Sequence, residues 1–280
     1  MREVHVDNIK ETVEKLCIDA NYNLGSDVKD RLVLAKKKET FAIAQDILGS
    51  IIENAEIAEA ERVPMCQDTG MACVFVELGQ EVHIVGGGLH KAINDGVRDG
   101  YAKGFLRKSV VKDPIRRINT GDNTPAVIYV DLVEGDKFSI TVAPKGFGSE
   151  NMSALAMLKP SDGLDGVKKF IIDTVRKAGP NACPPMIVGV GIGGTFDKAA
   201  NLAKRAAVRS ADVRNGDEYY KDLELELLEE INTLGIGPQG FGGRTTALAI
   251  NIEVYPTHIA GLPVAVNINC HATRHLTAEL

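Results

Sequence analysis

The chain has 280 residues, of which 44% are hydrophobic and 25% charged, enough for a sizeable buried core in one large domain or two apposed ones. A net charge of -6, 5% aromatic content and the absence of tryptophan supply neither the basic footprint nor the stacking platforms that nucleic acid demands, so no nucleic-acid partner is expected. Five cysteines make an odd set for a disulfide scaffold, which leaves metal binding or catalysis in a reducing compartment as the better reading.

The start, Met1-Arg2-Glu3-Val4-His5, lacks the apolar core of a signal peptide, and the cytoplasm is the expected location. No membrane partner is expected, because prolines and glycines break the longest uncharged stretch, Ala178 to Phe196.

The first sixty residues read as helices. Asp7 is placed to cap a segment carrying Ile9, Val13, Leu16 and Ala20 on one face, and a longer helix carries Phe41, Ile43, Ala44, Ile47, Ile51 and Ile52. Cys17 falls on the first stripe and reads as packing. Ala72 to Leu78 is a short apolar strand with Cys73 inside it, and the glycines at 86–88 open a helix through Tyr101. Ala126–Asp131 and Lys137–Ala143 are expected to form a hairpin across Glu134-Gly135-Asp136, delivering Pro144 to Asn151 to the mouth of a helix starting near Asn151. A helix over Leu164–Lys177 leads to the Cys183 loop and a strand over Met186–Val190. Gly191 to Asp197 then turns into a helix through Val208. Ser210–Gly216 reads as an exposed lead-in to a helix over Asp217–Thr233, and two strands follow, Ala247–Val254 and Val264–Ile268. The pattern predicts an α/β body of layered mixed sheets with flanking helices and a helical N-terminal region, without repeats or a clear linker.

Three cysteines lie in polar, turn-like settings: Cys66 before Gln67-Asp68-Thr69-Gly70, Cys183 in Asn-Ala-Cys-Pro-Pro, and Cys270 before His271. A ligating thiolate needs an accessible loop and polar neighbours. None belongs to a close C-x-x-C pair, so any shared site must be assembled by the fold. Gly189 to Gly194 satisfies G-x-G-x-x-G between a strand and a helix, but the acidic residue expected some twenty positions on has no strand before it. Pro144 to Asn151 can either cradle an anion, with Lys145 adding charge, or make a tight connection capped by Ser149. Taken alone, His258 reads as a surface histidine and Arg107 as a solvated charge.

Together, Cys-Gln-Asp-Thr-Gly at 66–70, Pro-Lys-Gly-Phe-Gly-Ser-Glu-Asn at 144–151, Asn-Ala-Cys-Pro-Pro at 181–185, Gly-Ile-Gly-Gly-Thr-Phe-Asp-Lys-Ala at 191–199 and Asn-Cys-His-Ala at 269–272 resemble the iron-sulfur class I fumarate hydratase and L(+)-tartrate dehydratase family, α subunit, over essentially the whole chain. The pattern departs at Phe147, where the family loop reads glycine. The resemblance implies one α-type hydro-lyase catalytic domain over 1–280, helical to about residue 60. It implies a 4Fe-4S cluster on Cys66, Cys183 and Cys270, with one iron lacking a protein ligand. It further implies Asp68 and His258 as catalytic groups and Gln67, Arg107, Lys145, Gly146 and Phe147 as substrate contacts. The activity implied is hydration of fumarate to S-malate, a step of the tricarboxylic acid cycle, or formation of oxaloacetate from tartrate. A small dicarboxylate is then the substrate and a β subunit the partner, in a heterotetramer. The rival readings are a dinucleotide-binding oxidoreductase and a structural metal-binding subunit.

Overall fold

The computed structural model describes residues 2–280. In chain order the elements are β1 (Arg2–His5), α1 (Val6–Tyr22), α2 (Ser26–Lys38), α3 (Ala42–Glu61), β2 (Met71–Gly79), β3 (Val82–Val85), α4 (Leu89–Lys103), β4 (Val127–Val133) and β5 (Phe138–Lys145). There follow the one-turn α5 (Phe147–Glu150), β6 (Ala154–Leu158), α6 (Gly163–Ala178), β7 (Met186–Gly193), α7 (Phe196–Ala206), α8 (Glu218–Asn232), β8 (Ala247–Tyr255), β9 (Leu262–Asn269) and β10 (Leu276–Glu279). The mixed α/β reading holds, as does the helical N-terminal region. No helix among the described residues is long and apolar enough to cross a membrane.

The chain divides into two compact units, each assembled from separate stretches: Met1–Gly25, Ala55–Phe147 and Arg274–Leu280 in the first, Ser26–Asn54 and Gly148–Thr273 in the second. Several chain crossings in place of one linker explain why no linker composition is visible.

In the first unit a four-stranded sheet has the order β10-β5-β2-β4, with β4 parallel and β5 antiparallel to β2. The expected hairpin between β4 and β5 is therefore absent. β2 lies between them because its run Ala72–Val76 is buried residue after residue, whereas β4 is half exposed along its length and suits an edge. Helix α1 buries Ile9, Val13, Leu16, Cys17 and Ala20 on one stripe. Its cap is His5, whose Nδ1 accepts the Asp7 N–H at 3.2 Å. Asp7 sits inside the first turn instead, where its charge favours the helix dipole. Helix α4 approaches α1 through Gly96 and Gly100. A Cβ on Gly100 would stand 2.8 Å from Glu14 O and 2.9 Å from Cys17 Cβ. Cys17 is thus part of a helix–helix seam, and burial pushes its thiol pKa far above the ordinary value.

In the second unit the sheet order is β6-β9-β7-β8, with β8 parallel and β9 antiparallel to β7. The helix expected from Asn151 is replaced by the short α5 and then β6, which pairs antiparallel with β9 from Ala154 to Leu158. Gly189 and Gly191 lie within β7, and a Cβ on them would stand 2.2 Å from Ala203 O and 2.1 Å from Ala199 O. Two glycines of the dinucleotide pattern thus serve the close approach of α7 to the strand and form no phosphate loop. The lead-in Ser210–Gly216 exposes Asp212, Val213 and Gly216 as expected, while its other residues are buried or half-buried. Ala211 is buried, Arg214 donates to Ile250 O at 3.2 Å and Asn215 to Ile252 O at 2.8 Å. These residues close over Glu224, which is fully buried and accepts from Ile252 N at 2.8 Å, Asn215 N at 3.1 Å and the Arg209 guanidinium.

Candidate functional site

The loop between α3 and β2 carries Cys66 to Gly70. Cys66 is half-buried, its Sγ lies 3.4 Å from the Oε1 of Gln67, and Gln67 itself is exposed. Asp68 is held at both ends. Its Oδ1 accepts the Gly70 N–H at 3.0 Å, its Oδ2 accepts the Phe147 N–H at 2.9 Å, and its backbone carbonyl accepts a hydrogen bond from Arg274 Nη2. The next two carbonyls are held as well. Tyr101 donates its hydroxyl to Thr69 O at 2.8 Å and Gly70 O at 3.0 Å, and Asn123 Nδ2 adds a bond to Gly70 O at 3.2 Å. Tyr101 is fully buried, and burial raises its hydroxyl pKa well above the ordinary value. Gly70 adopts φ +77° against β5, where a Cβ would fall 2.7 Å from Lys145 N and 2.8 Å from Pro144 C. Glycine is required there twice over, by conformation and by space.

Arg107 reaches this loop through its backbone. The Thr69 hydroxyl accepts the Arg107 N–H at 2.9 Å and donates to Arg107 O at 3.2 Å, while the Arg107 side chain stands in solvent. Lys145 ends β5 almost fully buried, with Nζ 3.4 Å from Gly146 O, and the Oδ2 of Asp68 lies 3.3 Å from where a Cβ on Gly146 would sit. At Phe147, which the resemblance implies as a substrate contact, the N–H donates to Asp68 Oδ2. The Phe147 ring is half exposed. The two motif loops at 66–70 and 144–147 thus form one bonded assembly within the first unit.

In the second unit the antiparallel pairing of β7 with β9 puts Ile187 opposite Asn269. That register brings Cys183, before β7, and Cys270, after β9, to the same end of the sheet. Cys183 is exposed in the left-handed conformation, φ 51°. Its carbonyl accepts the His271 N–H at 3.2 Å and lies 3.0 Å from His271 Nδ1, which is also 3.0 Å from Gln239 Nε2. His258 follows β8, whose parallel pairing with β7 puts Tyr255 opposite Gly193. It therefore lies at the other end of this sheet, about 25 Å of strand away from the two cysteines. It lines a surface cavity of about 390 Å³ with Gly194, Thr195, Lys198, Tyr255 and Thr257.

Among the described residues no group of three or more His, Cys, Asp and Glu is gathered as a metal site. The donor chemistry nevertheless fits a thiolate-held group. Cys66, Cys183 and Cys270 lie in loops outside any disulfide and reach solvent, whereas Cys17 and Cys73 are buried in the first unit. Tyr101, Asn123 and Arg274 were not singled out from sequence. Each acts on loop carbonyls 31 to 206 residues away, and no local pattern marks such a contact.

The family model described as Fumarate hydratase (Fumerase) matches residues 10–279. A Methanocaldococcus jannaschii protein named "Putative L(+)-tartrate dehydratase subunit alpha" is 44% identical over 276 residues, covering 95% of each chain. The L(+)-tartrate dehydratase subunit alpha of Escherichia coli strain UTI89 is 33% identical over 279 residues, 98% of this chain and 91% of its own length. Its counterpart in strain K12 is 32% identical over 276 residues, 97% and 90%. The match over nearly the whole length, through every motif loop just described, means that the chain belongs to the fumarate hydratase (Fumerase) family.

Proposed function

We propose that this chain is the α subunit of a two-subunit iron-sulfur hydro-lyase that interconverts fumarate and S-malate. The observation that carries the proposal is the Asp68 carboxylate, fixed two residues from Cys66 by the Gly70 and Phe147 N–H groups, so that a titratable oxygen pair has a set direction beside a ligating thiol. Cys66, Cys183 and Cys270 would hold a 4Fe-4S cluster. When bound, an iron of that cluster without a protein ligand supplies Lewis acidity that makes hydroxide a tolerable leaving group.

The chain's own groups supply part of the remaining chemistry. In dehydration a protonated Asp68 gives its proton to the departing hydroxide, and in hydration the carboxylate takes a proton from the attacking water. Arg107 and Gln67, both exposed beside the loop, bind substrate carboxylate oxygens, Arg107 with the paired donors of its guanidinium. Lys145, at the base of the loop assembly, adds positive charge close to Gly146 and Phe147. The proton on the carbon next to a carboxylate needs a second base. His258, at the far end of its own sheet from Cys183 and Cys270, belongs to the site through the family pattern rather than through proximity to those thiols. A β subunit completes the site, in a cytoplasmic heterotetramer.

Dehydration of L(+)-tartrate to oxaloacetate is the second reading, favoured by the names of the relatives. The test is anaerobic assay of the chain with its partner subunit against fumarate, malate and tartrate. Cys183→Ser should lose iron, sulfide and activity together. Asp68→Asn should keep iron and sulfide and lose activity. A Cys183→Ser protein with full iron content, or an active Asp68→Asn protein, would defeat the assignment.

A further inference from the structure

Arg274 is 4% exposed, yet no carboxylate pairs with it among the described residues, and its Nε and Nη1 are buried without a hydrogen-bond partner. A guanidinium taken out of water is costly unless its donors are matched, so a purely structural arginine at this depth would normally sit against an acidic side chain. The one bond that it makes is to the backbone carbonyl of Asp68. The carbonyls of Thr69 and Gly70, by contrast, have their own holders in Tyr101 and Asn123. Removing the Arg274 bond therefore leaves the loop docked one residue further on and frees the peptide between Asp68 and Thr69 to rotate. With its carbonyl unanchored, the Asp68 Cα moves with the preceding Cys66–Gln67 segment, and the carboxylate that it carries shifts from the Gly70 and Phe147 N–H groups.

We propose that Arg274 is a positioning residue that sets the direction of the Asp68 carboxylate by anchoring the Asp68 carbonyl. The inference rests on the assignment of Asp68 as the proton-transfer group. It deepens that assignment by naming a group, outside the set that the motifs supply, on which the reaction depends.

The experiment uses the full chain with its partner subunit, with rates divided by iron content. Arg274→Met should lower kcat roughly 30- to 100-fold while KM rises no more than about 3-fold, because the reacting group is misaimed by about an ångström whereas Arg107 stays tied to the Thr69 hydroxyl. Arg274→Lys, which keeps one cationic donor, should recover to within about 5-fold of wild type. In an Asp68→Asn background, Arg274→Met should lower the small residual rate by less than about 3-fold, because there is no carboxylate left to aim. Peptides covering 66–71 should exchange amide hydrogen roughly 10-fold faster in Arg274→Met than in wild type, and peptides within β2 and β5 should not change. If Arg274→Met does not fold, Arg274→Gln carries the same comparison. Equal rate losses in both backgrounds, an unchanged kcat, or unchanged exchange at 66–71 would overturn the proposal. Full activity in Asp68→Asn alone would instead defeat the assignment of Asp68, and the exchange result would still decide whether Arg274 holds the loop.

Discussion

Replacing Gly70 by alanine separates two costs that the structure combines at one residue. Gly70 and Gly135 have nearly the same φ, +77° and +80°, but a Cβ on Gly135 meets nothing within 4 Å, while one on Gly70 meets Lys145 N at 2.7 Å and Lys145 C and Pro144 C at 2.8 Å. Gly135→Ala therefore pays only the left-handed conformation, about 1–2 kcal/mol. Gly70→Ala adds a collision with strand backbone, which cannot rotate away as a side chain could, at about 1–3 kcal/mol more. At roughly 2–4 °C per kcal/mol for chains approaching this length, the melting temperature should fall about 2–8 °C for Gly135→Ala and about 4–20 °C for Gly70→Ala, with Gly70→Ala always the lower. The displaced loop should also lose catalysis, about 100-fold in kcat, while Gly135→Ala keeps wild-type rates. Melting of the two variants within 2 °C of each other, or a wild-type kcat for Gly70→Ala, would refute the reasoning.

Glu224→Gln should destabilise by about 2 kcal/mol, because it removes charge-assisted hydrogen bonds at a fully buried acceptor while Arg209 keeps its pair with Glu253. A urea titration that shows a loss below about 1 kcal/mol would mean that the ion pair is not what holds that segment. Burial opposes ionisation of Asp122, but hydrogen bonds from the Arg98 guanidinium and from the hydroxyl and N–H of Thr124 outweigh it and hold the carboxyl pKa down to about 2. The resulting stability is present above the unfolded value near 4 and is lost as pH falls through about 2. Asp122→Asn should therefore cost about 1 kcal/mol at pH 7, and the gap from wild type should close between about pH 4 and pH 2. A gap independent of pH would contradict the ion pair as its source.

Continuous apolar runs made β2, β7 and β9 legible from sequence, and the stripe of Ile9, Val13, Leu16 and Ala20 did the same for α1. The pairing of β4 with β5 was misread because neighbouring strands usually pair, and nothing local records that the more buried β2 takes the place between them. The capping role fell to His5 because its ring nitrogen reaches the Asp7 N–H, an acceptor that the usual preference for short oxygen side chains overlooks. At the site the cysteine loops were visible as polar interruptions, and the family pattern supplied the side chains proposed to meet substrate. The residues that hold the loop were not visible. Tyr101 looks like the last apolar residue of α4, and Arg274 like one more charge near the end of the chain. Their role lies in bonds to backbone carbonyls, which carry no residue identity for a pattern to match.

Those bonds have a dynamic consequence. A segment such as 66–70, which has no regular secondary structure, is ordinarily among the most mobile parts of a fold. Here three consecutive carbonyls are held by Arg274, Tyr101 and Asn123, drawn from the C-terminal stretch, α4 and the segment before β4. The Gly70 N–H is held by the Asp68 carboxylate, and glycine adopts the positive φ there without strain, so these bonds fix the turn against no opposing conformational preference. The Gly70 amide should therefore exchange with solvent on the timescale of the β2 amides that follow it. The Gly121 amide gives the comparison. Gly121 also has positive φ, and its N–H bonds only to the Asn119 side chain at 2.7 Å in an exposed turn, so it should exchange faster by at least about 100-fold. Similar exchange at the two glycines would mean that the bonds around Asp68 open independently rather than as one unit, and that the direction of its carboxylate is set only when substrate binds.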